Sequence, residues 1–257
     1  MNPFPWMPPI ASEHGPAIDH LMWLVHILMA VLFIGWGALF VYMLIRFHRS
    51  RNPRADYHGT RSHASRWAEI AVAIAEGVLL IGFSIPLWHQ RVGAEPRPDD
   101  ALTVDVIAEQ FAWNVHYPGP DGLMGRRDPA LVNLQTNPVG LVRDDPSAAD
   151  DVVVLNQLHL PVDEPVVIRL SSKDVIHSFY LPQMRVKQDA IPGLQIPLWF
   201  TPTMTTAEMR EQTGNDKFQY EIACAQLCGI THYNMRAFLT VETREEFDAW
   251  IVERVGR

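Results

Sequence analysis

The sequence predicts an α+β membrane protein: two bilayer-spanning helices, then an antiparallel β-sandwich or barrel outside the membrane. Three observations carry that prediction. Two long apolar runs lie close together near the N-terminus. Short apolar strands separated by Pro, Gly, Asn and Asp turns fill the rest of the chain. Both cysteines of the 257-residue chain fall in one short loop near its end, so no disulfide scaffold is built in.

Residues 1–20 form a Pro-rich segment expected to be irregular and to lie on the outer face. Its aromatics Phe4 and Trp6 suit a membrane interface. No Lys or Arg precedes Arg46, so this is not an ordinary secretory signal peptide. Residues 21–92 read as a helical hairpin. Leu21 to Ile45 contains no Lys, Arg, Asp or Glu, and at about 1.5 Å per residue it can cross a bilayer with some tilt. Ile70 to Trp88 is a second span, near the lower length limit. The loop between them, about residues 47–67, carries Arg49, Arg51, Arg54, Arg61 and Arg66, with Arg46 at its edge, against the single acid Asp56. The positive-inside rule puts this loop in the cytoplasm and both termini outside. Glu76 sits within the second apolar run, where a carboxyl costs a few kcal/mol unless it faces protein or water; packing against a neighbouring subunit accounts for it. Glu69 opens the same run at its cytoplasmic end. Ala68, Ala71 and Ala75 recur at helical spacing and suit close helix contact.

Residues 93–102 form a linker with Pro96 and Pro98, and residues 103–257 form the outer domain. Strands are expected at Thr103 to Ile107, Val152 to Leu155, Val166 to Ser172, Pro197 to Phe200 and Ala237 to Val241. Ala108 to Tyr117 is an aromatic-rich stretch suited to a sandwich core. Pro118 to Asp151 is too long for a hairpin turn and ends in an acidic loop, read as solvated surface. Thr243-Arg-Glu-Glu246 is a capping box, predicting a helix from Arg244 to about Val255 with Phe247, Trp250 and Ile251 facing inward.

The chemistry concentrates in Cys224-Ala-Gln-Leu-Cys228-Gly-Ile-Thr-His232-Tyr-Asn-Met235. Two thiolates, an imidazole and a thioether within twelve positions are soft donors suited to copper. Cys-x3-Cys can also close as a disulfide. Zinc could take two Cys and two His, although that leaves Met235 without a role. A c-type haem is excluded because it needs Cys-x-x-Cys-His, and a blue-copper centre uses one thiolate, not two. A pair of bridging thiolates can join two copper ions, and a further histidine must then come from elsewhere. His177, just beyond the strand Val166 to Ser172, is the nominee.

At this point the sequence closely resembles subunit II of haem–copper cytochrome c oxidases. The resemblance rests on Asp174-Val-Ile-His177, Lys187-Gln-Asp189, Pro192-Gly193 and the cysteine loop, and it extends over nearly the whole chain, membrane part included. It implies a cupredoxin-like Greek-key β-sandwich. It also implies a dinuclear copper (CuA) centre held by His177, Cys224, Cys228, His232 and Met235, with the backbone carbonyl of Gln226 as a further ligand. The family usually has Glu where Gln226 stands, which leaves open the magnesium ion at the interface with subunit I. Electrons come in through an aromatic cluster in the family; its first tryptophan is replaced here by Phe111, while Trp113 is kept. Glu69 corresponds to an acid near a proton-uptake path of subunit I. Asp189, with Arg185 or Lys187, falls at the implied subunit interface.

The resemblance further implies that a cytochrome c (soluble, anchored, or part of an adjoining quinol-oxidising complex) donates electrons, which pass to haem in subunit I, where dioxygen is reduced to water with proton translocation. The location implied is a bacterial inner membrane. Residues 101–257 carry 13 basic and 21 acidic side chains, against 8 and 8 in residues 1–100, so the outer domain bears the net charge of −8 and favours a basic partner. A structural subunit of a quinol oxidase would lack the ligands. A copper-delivery or nitrous-oxide-reducing protein could own a similar site, but the two-span anchor argues against both. No Ser-His-Asp set, phosphate loop or basic patch for nucleic acid is present, so the chain has no independent catalytic site.

Overall fold

The computed structural model describes residues 6–54, 57–58 and 63–255, so Phe4, Asp56 and Arg61 lie outside the described residues. Two units result. One is built from Ala17–Gly93, the other from Trp6–Pro16 together with the chain from Ala94 onward.

The first unit is a pair of helices long and apolar enough to cross a membrane, α1 (Gly15–Arg46) and α2 (Ala64–Val92). Helix α1 begins at Gly15, inside the segment expected to be irregular, because nothing after Pro16 breaks the helical run that Leu21 continues. Helix α2 extends the expected Ile70 to Trp88 span at both ends. Its interior contains a π turn at Leu80–Ser84, and Ser84 Oγ donates to Leu79 O at 3.2 Å. Pro86 follows directly; its missing N–H and ring are a common cause of such local unwinding. The His20 and Phe83 rings lie 6.5 Å apart, setting the start of α1 beside the end of α2 as an antiparallel hairpin requires. Phe33 and Ile34 expose most of their apolar surface, which water would not tolerate over such a length but lipid or a partner would. Glu69 and Glu76 are both exposed on α2.

The second unit is a two-sheet sandwich. Its strands are β1 (Leu102–Glu109), β2 (Ala112–Tyr117), β3 (Val152–Leu155), β4 (Gln157–Pro161), β5 (Val166–Ser172), β6 (His177–Leu181), β7 (Val186–Ala190), β8 (Ile196–Phe200), β9 (Tyr220–Cys224) and β10 (Arg236–Glu242). One sheet runs β3-β2-β1-β5-β8 and the other β4-β10-β9-β6-β7. The architecture is the cupredoxin-like one expected, with one correction to the antiparallel reading: β1 pairs β5, and β4 pairs β10, in parallel. Strands that return after a crossover enter beside a neighbour running the same way, and alternation of residue type does not encode that. Trp113, Tyr117, Phe179, Phe200 and Tyr220 are fully buried between the sheets.

Residues 118–151 are largely exposed, as read for the acidic loop, but part of the segment folds over the outer face of β1, which explains why β1 is buried on both faces. Ile107 packs there with Val139, Leu141 and Ala148. Asp105, buried, is held by Arg169 Nε at 2.6 Å and Arg127 at 2.7 Å. Asp151 meets His116 Nε2 at 2.6 Å, both side chains fully buried. The remaining acids mostly cap turns, as Asp128 and Asp145 do.

Helix α3 (Thr206–Thr213) was not legible as such, although Thr205 and Glu208 form a complete capping box. Helix α4 (Arg244–Arg254) begins at the capping box of Thr243 and Glu246, as predicted. Phe247 and Ile251 are buried, while Trp250 is half-buried and stacks on His159 at 4.0 Å. Residues 6–16 are a strap sewn to the sandwich: Ala11 N donates to Gln183 O, and Thr203 N to Ala11 O, each at 2.9 Å. Arg185 secures it through Pro8 O at 2.9 Å.

Candidate metal centre

Four chain segments meet at one end of the second sheet. His177 opens β6, Cys224 closes β9, and the two strands pair with Phe179 opposite Cys224. The loop then leaves β9, turns at a short 3-10 segment, His232–Asn234, and delivers Met235 immediately before β10. Cys224 N donates to Met235 O at 3.2 Å and Ala225 N to Ser178 O at 2.9 Å, so the loop is closed by the same ladder that orders the sheet.

Inside this frame Cys224 Sγ lies 3.8 Å from Cys228 Sγ. A disulfide needs about 2.05 Å, and both cysteines are free and buried. His177 Nδ1 is 3.9 Å from Cys224 Sγ and 3.1 Å from Met235 Sδ. Cys228 Sγ is 3.5 Å from His232 Nδ1 and 3.7 Å from Met235 Sδ. The Gln226 carbonyl is 3.2 Å from Cys224 Sγ. His177, Cys224 and Cys228 each offer a ligand atom within 4.8 Å of the others. All six groups nominated from the sequence therefore converge. The donor set, rich in sulfur and imidazole, fits a soft or borderline transition metal and not a hard cation.

His177 is fully buried, and its other nitrogen, Nε2, contacts Asp174 Oδ1 at 2.8 Å. A carboxylate accepting from Nε2–H turns Nδ1 toward the sulfurs and fixes the tautomer that can ligate. Asp174 also accepts from Val175 N at 2.6 Å and Gln110 N at 2.7 Å. Burial works against the Asp174 charge, but these bonds from His177, Gln110 and Val175 hold its carboxyl below the ordinary range. Burial likewise opposes charge on His177, and the contacts with Cys224 and Asp174 outweigh it and raise its pKa. For Cys224, burial raises the thiol, yet His177 and the backbone of Ser178 and Gln226 bring it down to about 6. Burial and the adjacent Cys224 charge push Cys228 up to about 11. The pair is thus biased so that Cys224 ionises before Cys228, and a metal that takes both sulfurs must displace thiol protons.

The two aromatic residues nominated for electron uptake have different placements. Trp113 is fully buried, edge-on to His177 at 6.2 Å between ring centroids. It lines the site and offers no docking surface, because it occupies an inward position of β2. Phe111 is half-buried in the β1–β2 turn and lies against Gly229. Asp189 is exposed on β7, opposite Ser178. Arg185 donates to Pro182 O and Pro8 O within this chain. Two residues of the site were given no role by the sequence reading. Asp174 was signalled by Asp-x-x-His spacing; Gln110, whose side chain donates to the Cys228 carbonyl, carries no local signal. Among the residues between the ligands, the loop exposes three large apolar or aromatic side chains, Leu227, Ile230 and Tyr233, at 77%, 89% and 86% accessibility.

Comparisons with known proteins point to one family. The family described as "Cytochrome C oxidase subunit II, periplasmic domain" matches residues 102–242. The alternative cytochrome c oxidase subunit 2 of Bradyrhizobium diazoefficiens is 32% identical over 250 residues, covering 97% of this chain and 84% of that protein. Cytochrome c oxidase subunit 2 of Cereibacter sphaeroides is 29% identical, with coverage of 96% and 79%. Among solved structures, the periplasmic domain of subunit II of the Bradyrhizobium japonicum cytochrome oxidase is 25% identical. It covers 62% of this chain and 95% of that one, with a TM-score of 0.42. On the family match and the full-length similarity, the chain belongs to the cytochrome c oxidase subunit II family.

Proposed function

We propose that the chain is the electron-accepting subunit of a terminal oxidase and holds a dinuclear copper centre. His177, Cys224, Cys228, His232 and Met235 would hold the ions through side chains, and Gln226 through its carbonyl. When bound, such a copper pair supplies a one-electron couple shared across two thiolates. The observation that carries the reading is the pair of unbonded sulfurs 3.8 Å apart, flanked by two imidazoles and a thioether. Two sulfurs at that separation suit joint ligation and rule out a closed disulfide in this conformation.

The chain's own residues do the preparatory work. Asp174 orients His177, Trp113 and Phe179 keep water from the buried side, and the β6–β9 ladder fixes the loop so that its donors need little rearrangement. Phe111, half-buried in the β1–β2 turn, lies against Gly229 of the loop. The donor is a cytochrome c, soluble, anchored or in an adjoining quinol-oxidising complex, and the acidic balance of residues 101–257 favours a basic one. Electrons pass to haem in subunit I, where dioxygen reduction drives proton translocation. The exposed Leu227, Ile230 and Tyr233 suit burial against another subunit.

In the same reading the arginine-rich loop of about 47–67 faces the cytoplasm of a bacterial cell, and the termini and copper domain face the periplasm. Residues 21–92 form the anchor, 93–102 the linker and 103–257 the metal domain. Glu69 would stand at a proton path and Asp189 at the contact with subunit I, near which the magnesium ion lies in relatives that have an acid in place of Gln226. Anaerobic loading of the purified chain tests the centre: about two copper ions per chain and a purple thiolate chromophore are expected. A stoichiometry of one or zero with wild-type protein, or a native Cys224–Cys228 disulfide, would overturn it.

A further inference from the structure

Gln110 is bonded to both arms of the candidate site at once. Its backbone N–H donates to Asp174 Oδ2 at 2.7 Å, and the other oxygen of that carboxylate holds His177 Nε2 at 2.8 Å. Its side-chain Nε2 donates to the Cys228 carbonyl, 118 positions along the chain. The first arm brings His177; the second carries both cysteines and, four residues on, His232.

The turn that bears Gln110 is itself firmly held. Lys173 N donates to Ala108 O at 3.0 Å, and Lys173 Nζ meets Glu109 Oε2 at 2.7 Å with both side chains largely shielded. Asn114 Nδ2 reaches Glu109 Oε1 at 3.1 Å. On the other side, Gly229 has φ +141°, and a Cβ there would stand 2.7 Å from Gln110 Nε2 and 3.0 Å from Phe111 Cζ. The loop therefore comes as close to the Gln110–Phe111 turn as a backbone without a side chain allows.

We infer that Gln110 is a positioning residue for the metal centre: it couples the His177 arm to the cysteine loop, so that the donors are preset at their common position. This rests on the copper-binding reading above and adds to it a residue that touches no metal. A polar link behind the ligands commonly changes metal affinity 10- to 100-fold when removed. The backbone N–H that bonds Asp174 is kept in every non-proline substitution at 110, so a side-chain change isolates the link to Cys228.

The test compares the full-length chain in detergent with Q110M, which keeps the side chain's length and removes its donor, and with D174A and the double variant. Three quantities are read: copper affinity by chelator competition, the thiolate absorption of the loaded protein, and amide hydrogen exchange of residues 226–232 in the metal-free protein. Q110M is expected to lose about 10- to 100-fold in affinity, to shift the absorption band, and to speed exchange across the loop. The double variant should lose less than the product of the single losses, because the two residues act through one network. Wild-type affinity, spectrum and exchange in Q110M would overturn the inference, and so would strictly multiplicative losses. Failure of the wild-type chain to bind copper would instead sink the functional reading, so the two failures are separable.

Discussion

Asp174 and His177 stand three residues apart and meet at 2.8 Å through Oδ1 and Nε2. That contact leaves Nδ1 facing Met235 Sδ at 3.1 Å and Cys224 Sγ at 3.9 Å. A single carboxylate thus decides which nitrogen of the most deeply buried donor can ligate.

Removing that carboxylate should weaken metal binding without touching a ligand. D174A is expected to lower copper affinity about 10- to 100-fold, measured by competition with a chelator of known affinity. Unchanged affinity would show that packing against Trp113 alone aligns the ring.

Glycine at 229 answers two constraints, a φ of +141° and the proximity of Gln110 and Phe111. G229A should destabilise the metal-free protein by about 1–3 kcal/mol, read as a lower thermal midpoint. Adding F111A should relieve only the contacts with Phe111, leaving the closer approach to Gln110 Nε2 and the backbone φ. Full recovery in the double variant would mean that the backbone conformation costs nothing.

Metal removal has a chemical signature. The copper-free protein should show two thiols to a thiol reagent under denaturing, oxygen-free conditions, in keeping with two free cysteines, and the loaded native protein none. Because Cys228 is pushed up to about 11 while Cys224 is brought down to about 6, loading near neutrality should release a proton from Cys228. Affinity should therefore rise with pH. A pH-independent affinity between about 6 and 9 would contradict this assignment of the thiol proton.

Both capping boxes make stability depend on acid. Thr243 N and Oγ1 each donate to Glu246 Oε2 at 2.9 Å, and Thr205 serves Glu208 in the same way at 2.8 Å. These bonds hold both carboxyls below their ordinary value. A pKa depressed by folding stabilises the fold above the unfolded value, about 4.3 for Glu. That contribution is lost as pH falls through the folded one. Amides at the N-termini of α3 and α4 should lose hydrogen-exchange protection on acidification below about pH 4, and E208Q or E246Q should flatten the trend at its own helix. Identical acid profiles in wild type and variants would exclude the boxes as its source.

Residue type and spacing alone determined much of this molecule. The uncharged run of α1, the capping box of α4 and the donor series from Cys224 to Met235 are local patterns, each written within a few turns of chain. His177 could be nominated because its strand and the Asp-x-x-His signature were local too. Tertiary structure alone decided the parallel pairings, the packing of part of residues 118–151 onto β1, and the reach of Gln110 to Cys228. Each depends on which distant segments become neighbours, and packing between the sheets settles that, because no residue's own propensity records the surface it will meet.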